Sequence, residues 1–292
     1  MVRHAGDRTA AGAVLTVDPA RVDRELERAE GQALGAIYSG LPDGWVGEVD
    51  GWAVRSWPRR PDSTWMHQAF AERPVTGPGL DQALEGLAAL PVNVQVPVGA
   101  LADSELRSRG LGSPVRLARF VGLLGVGLLG GGLLGGVAPA GSPAPDTDLR
   151  LETVGPPGGG HVSTVARAAF GLDEPWWWVA PLGAPGWTQV VAYDDDEPVA
   201  TAALHRVGEV AWLGAAGTLP EARGRGAQTA LLRHRLRLAA ELGASRVVAK
   251  AVPGSVSERN LMRAGFVRAY DVVQWSRPAA PRSPAAGPRA ST

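Results

Sequence analysis

The sequence predicts an α/β protein in which a mixed central sheet is flanked by helices and the chain is divided into two similar halves. Three observations predict it. Over 292 residues, 45% are hydrophobic and 20% charged, the composition of a chain that buries a core rather than one that stays unfolded. Segments that alternate apolar and polar residues are interleaved with segments whose apolar residues recur at helical spacing. The same order of segments also occurs on both sides of a glycine-rich run.

Charge and residue usage narrow the function. The formal net charge is zero, so the basic excess that marks a nucleic-acid or anionic-membrane partner is lacking, and none is expected. Lys250 is the only lysine; the remaining cations are arginines spread along the whole sequence. With no cysteine there is no disulfide, thiolate nucleophile or thiolate metal site. His161, His205 and His234 have no metal-ligand spacing, so no metal is expected. The start, MVRHAGDRTAAG, has no apolar signal core, and the expected compartment is cytoplasmic.

The run from Val121 to Gly136 carries no polar side chain, which raises the question of a membrane span. Eight of its sixteen residues are glycine, in units reading GLLGV, GLLGG and GLLGG. Each glycine costs a helix interior about 0.8–1 kcal/mol relative to alanine, so a low-complexity linker is expected over 122–148 rather than a membrane contact through Gly122 to Gly136. The expected division is a first domain at 1–121, the linker, a second domain at 149–277 and a disordered Pro/Ala/Ser-rich tail at 278–292.

In the second domain, Leu149 to Val154 alternates as a strand and His161 to Leu172 spaces its apolar residues as a helix. A short helix follows at Pro175 to Leu182. Trp187 to Tyr193 and Val199 to Val207 form a hairpin around the acidic turn Asp194 to Pro198. Next come a strand at Glu209 to Gly217, an arginine and glycine loop, a helix at Gly226 to Leu242 and a strand at Arg246 to Val252. A helix near Ser257 to Arg263 and a strand at Val267 to Trp275 complete it. The tryptophans Trp176 to Trp178 read as core filling or as aromatics that stack on a ligand; the run Asp194 to Glu197 reads as a solvated turn.

The most informative stretch is TLPEARGRGAQTALL, Thr218 to Leu232, which sets glycines and arginines between an apolar strand and an amphipathic helix. The first turn of a helix has unpaired N–H groups and a partial positive charge, and it binds a phosphate if the backbone comes close, as Gly224 and Gly226 permit. Arg223 and Arg225 add cationic donors. A P-loop would need GxxxxGK followed by Ser or Thr, and the lysine is far away; a dinucleotide fingerprint would need a third glycine where Thr229 stands.

With Arg223, Gly226 and Gln228, this loop resembles the GNAT superfamily of N-acetyltransferases, whose signature is Q or R-x-x-G-x-G or A; Gln228 departs at the last position. Ser257 to Phe266, SERNLMRAGF, is similar to the superfamily's fourth helix through Ser257, Arg259, Gly265 and Phe266, with Gly254 at its Asn position. The resemblance implies a GNAT fold whose central strands splay to admit acetyl-CoA. It implies pyrophosphate bonds to the backbone at Arg225, Gly226, Ala227, Gln228 and Thr229, with Arg223 and Gly224 beside them. Main-chain groups at Ala216, Gly217, Thr218 and Leu219 would hold the pantetheine and polarise the thioester, and Asn260 would also contact the cofactor. The implied reaction is direct attack by a primary amine of a small molecule or peptide N-terminus; a non-catalytic acyl-CoA-binding module is the alternative. Where relatives place a tyrosine acid this chain has Leu261, leaving Ser257 or Tyr270 as candidate acids and Glu209 as candidate base.

The first half repeats the order: a helix near Val22 to Tyr38, strands around Trp45 to Trp57, then strand, helix, strand, helix, strand. Gly110 lies sixteen residues after Val94 and Phe120 ten after Gly110; Gly265 lies seventeen after Val248 and Trp275 ten after Gly265. A degenerate copy of the same fold is expected. Its loop, Val75 to Gln82, has no arginine, and an aspartate near the helix start opposes phosphate.

Overall fold

The computed structural model describes residues 24–72, 75–88, 90–124 and 147–278. Most of the expected linker and the tail beyond Pro278 lie outside them. In the first half, α1 (Arg24–Ser39) precedes the hairpin β1 (Trp45–Val49) and β2 (Trp52–Ser56), then β3 (His67–Ala71), α2 (Gly77–Glu85), β4 (Val92–Pro97), α3 (Asp103–Ser108) and β5 (Gly112–Leu123). The second half holds β6 (Arg150–Val154), α4 (Gly159–Phe170), α5 (Trp176–Val179), β7 (Trp187–Asp194), β8 (Glu197–Val207), β9 (Val210–Thr218), α6 (Ala227–Glu241), β10 (Arg246–Ala251), α7 (Val256–Arg263) and β11 (Val267–Arg277). The elements expected from periodicity form in the expected order. The hairpin β1–β2 turns on Asp50 and Gly51, both at positive φ, as a two-residue turn matched to strand twist requires.

Among the described residues, eleven strands form one sheet, in the order β1-β2-β3-β4-β11-β5-β10-β9-β8-β7-β6. Each half thus completes its sheet with the final strand of the other: β5 pairs with β10, β11 with β4, and the two exchanged strands pair antiparallel at the seam. The register is that of a two-fold relation. Leu117 faces Val272; Gln95 faces Gln274, and the residues 155 positions from each, Lys250 and Arg119, face one another. The expected boundaries therefore divide the chain but not the sheet, because periodicity identifies strands and leaves their neighbours open. The expected linker start is also corrected. Gly122 and Leu123 belong to β5, where they pair with Val247 and Arg246; backbone bonding to β10 holds them in the strand without need of side-chain packing.

Helices cover both faces. On one, Leu232, Leu236 and Ala239 of α6 pack with Leu213, Val247, Phe120 and Phe266. On the other, α1 presents Leu26, Ala29, Ala33 and Ile37, spaced three or four apart as an amphipathic helix requires, to Phe70 of its own half and to Ala203, Trp212 and Val248 of the second. This helix therefore spans the seam. Among the described residues no helix is long and apolar enough to cross a membrane.

Candidate active site

Two irregularities of β9 open a cleft. Its pairing with β8 runs from Ala203↔Gly214 to Thr201↔Gly217, so three steps along β9 oppose two along β8. This is a β-bulge, and Ala215 within it takes φ 46°. On its other side β9 runs parallel to β10 from Val210↔Arg246 to Leu213↔Ala249, and the pairing stops there. Beyond that point a cleft of about 930 Å³ separates the strands, bordered by Phe170 of α4, the loop 222–229, and Ser257 and Asn260 of α7.

The loop owes its shape to two glycines. Gly224 and Gly226 have φ of 81° and 80°, a left-handed conformation that costs a side-chain-bearing residue about 1–2 kcal/mol. Gly226 is the N-cap of α6 and offers no side-chain acceptor, so the first-turn N–H groups remain for a ligand. Gln228 turns back, its Nε2 donating to Gly217 O (3.1 Å) and Thr218 Oγ1 (2.7 Å). The residue that departs from the GNAT signature thus ties the loop to the bulged strand.

Of the residues expected at the cofactor, Ala216, Gly217, Thr218, Arg223, Gly224, Gly226, Ala227, Gln228, Thr229 and Asn260 line the cleft. Leu219 does not; its N–H is taken by Val199 O. Arg225 is turned outward, donating to Asp194 Oδ2 at 2.5 Å and Oδ1 at 2.9 Å. The hydrogen bond and charge of that carboxylate raise the Arg225 guanidinium above its ordinary value, while Arg225 lowers Asp194. Asp194, at the start of the acidic run between β7 and β8, thus pairs with the loop in solvent, and the run is a solvated turn.

Two expected catalytic residues are misplaced. Glu209 immediately precedes β9, at the end opposite the bulge; seven residues at about 3.3 Å each put it roughly 23 Å from Ala216. Its carbonyl accepts from the backbone of Ser245 and Arg246. Tyr270 lies on exchanged β11, two strands from β10, and its hydroxyl donates to Glu27 of α1; burial, then the Glu27 charge, raises its pKa. Ser257 does border the cleft, and Leu261 is buried in the α6 core. Trp177 packs edge-on against Tyr38, and Trp178 stacks on Phe170 at the cleft wall.

Sequence reasoning missed Arg235. It stands among the buried leucines of α6, and its guanidinium donates to Ala203 O (2.9 Å) and Gly214 O (3.4 Å) at the bulge. Burial alone pushes it down to about 10. A cation between Leu231, Leu232, Leu236 and Ala239 was the available signal.

At the matching helix of the first half the first turn is already covered. Thr76 caps α2, accepting from Gly79 N and donating to Asp50 Oδ2 (3.0 Å). A Cβ on Gly79 would lie 2.5 Å from that carboxylate oxygen, which shows how closely Asp50 covers the turn.

Residues 163–266 match the model of the acetyltransferase (GNAT) family. The chain carries a GNAT domain. Beyond this domain the likeness is one of fold and extends over both halves. A GCN5-related N-acetyltransferase from Kribbella flavida superposes with a TM-score of 0.63 at 18% identity, covering 89% of this chain and 96% of that one. A second, from Sphaerobacter thermophilus, gives a TM-score of 0.52 at 14% identity, covering 91% and 95%. No relative is found among curated proteins. The cleft, the bulge and the start of α6 all fall within the GNAT domain. Among the described residues no group of three His, Asp or Glu side chains is arranged to hold a metal.

Proposed function

We propose that the protein transfers an acetyl group from acetyl-CoA to a primary amine of a small molecule or peptide N-terminus. The observation that carries this reading is the convergence of three features on one cleft: the end of β9–β10 pairing, the bulge at Ala215 and the uncapped start of α6. The uncapped turn suits the pyrophosphate. The bulge turns main-chain groups near Ala216 toward the thioester, where N–H donors stabilise the charge that develops on its oxygen. A neutral amine then attacks the carbonyl directly, which suits a chain without cysteine. Asp50 at the start of α2 supports the reading of the first half as a degenerate copy that scaffolds the site.

A second reading, a non-catalytic acyl-CoA-binding module, is favoured by the burial of Leu261 and by Tyr270 and Glu209 lying outside the cleft. Calorimetric titration of acetyl-CoA followed by an amine screen separates the two. Binding with turnover supports the transferase; binding without turnover of any amine supports the module. No binding overturns both.

A further inference from the structure

The cleft reaches a buried charged cluster that spans the seam. Lys250 borders the cleft and is the first residue of β10 past the last β9–β10 pair. It therefore stands at the apex of the wedge, where an acyl group carried in between the strands must end. Its Nζ donates to Glu30 Oε1 at 2.6 Å and to Gln95 Oε1 at 2.5 Å, and lies 5.5 Å from the centre of the Phe70 ring. An ammonium has three hydrogens; these two acceptors take two of them, and the side chain keeps 16% exposure. Around it Glu27 and Glu30 of α1 both pair with Arg119 of β5, and Tyr270 of β11 donates to Glu27.

Of the other side chains that line the cleft, Arg235 is bonded to carbonyls at the bulge, Ser257 and Asn260 of α7 carry no charge, and Arg223 and Arg263 are guanidiniums, which do not give up a proton. Burial raises the Glu30 carboxyl, but Arg119 and Lys250 outweigh it and hold it at about 2. Burial also lowers Lys250, against the attraction of Glu30. The pair is ionised, yet the ammonium is made a readier proton donor than an ordinary lysine.

We propose that Lys250 is the acid of the transfer, its ammonium stabilising and then protonating the thiolate of coenzyme A as it leaves, with Glu30 and Gln95 as positioning residues. The inference rests on the acyl-CoA reading of the cleft. The amine lone pair forms the C–N bond, the C–S bond breaks with its electron pair moving to sulfur, and an Nζ proton passes to sulfur to give the thiol. The proton lost by the attacking amine restores the ammonium.

The test is the titration of protein-bound coenzyme A, followed by the ultraviolet absorbance of its thiolate. In the wild type the bound thiol is expected to titrate about one unit or more below the free thiol, which is near the ordinary value of roughly 8.5. Lys250→Met is expected to abolish that shift and to lower kcat while leaving KM for acetyl-CoA within about twofold; Lys250→Arg keeps part of the shift. Glu30 retains Arg119 at 2.6 Å in these variants. If Lys250→Met does not fold, Lys250→Gln replaces it, since glutamine already stands at the equivalent position, Gln95. Coenzyme A that binds but titrates as the free thiol, or a shift that survives loss of the lysine charge, overturns the proposal. Failure of coenzyme A to bind at all overturns instead the acyl-CoA reading beneath it.

Discussion

Leu117 of β5 faces Val272 of β11 across the seam, each lying in the strand that completes the other half's sheet. Residues 147–278 expressed alone lack β5 and leave the full length of β10 as an open edge, a template for aggregation. They are expected to show no cooperative thermal transition by circular dichroism. Co-expression with 24–124 should restore a complex that elutes as one species, and a monomeric, cooperatively melting 147–278 fragment would contradict the exchange.

The two arginines of the loop before α6 should behave differently. Arg223 borders the cleft, and a charge-assisted hydrogen bond to a phosphate contributes enough for Arg223→Ala to weaken acetyl-CoA binding about tenfold. Arg225 is paired with Asp194 in solvent, where such pairs contribute little. Arg225→Ala should leave the affinity close to wild type in the same calorimetric titration.

Gly217 is where α4 presses on the bulged strand. A Cβ there would lie 2.8 Å from Phe170 Cε2 and 3.0 Å from the Cβ of Ala169. Gly217→Ala should cost about 1–3 kcal/mol of stability, as overpacking does, and should weaken acetyl-CoA binding by shifting the wall of its cleft. Denaturant melts and titration of the same sample would check both effects.

Acid stability should report the seam. The Glu30 carboxyl titrates at about 2 in the folded protein against an ordinary 4.5. Its folded value is depressed, so its contribution is fully present above the ordinary value and is lost as the pH falls from about 4.5 through about 2. Glu30→Gln should flatten the acid limb of the stability curve in that window. An unchanged limb would show that the pair with Arg119 and Lys250 is not formed in solution.

Coenzyme A should bind once per chain. Asp50 and Thr76 already occupy the start of α2, so a stoichiometry of two by calorimetry would contradict the assignment of a single site.

The order of elements was legible because periodicities of two and near 3.6 are local properties of the sequence, and the position of the loop from Arg223 to Thr229 was legible because its glycines interrupt the pattern between an apolar strand and an amphipathic helix. The partners of Tyr270, Glu209 and Lys250 were not legible. Tyr270 is 243 residues from Glu27, and only the exchange of strands brings them together. Glu209 shares a strand with the cleft but sits at its wrong end, a difference that alternation cannot register. Lys250 stood out only as a count of one; its ion pair depends on Glu30 of a helix that crosses from the other half.

The exchanged strands have a consequence for how this protein could diversify. Two identical chains trading last strands would make a homodimer with two equal sites, and every substitution would strike both. Joining such chains end to end keeps the mutual completion of the sheet and ends that equality. One copy can then trade its anion site for a carboxylate while the other retains it, and the altered copy still supplies the strand without which its neighbour's sheet ends early. Here the half with Asp50 at its helix start cannot be lost: it has become a permanent, built-in subunit.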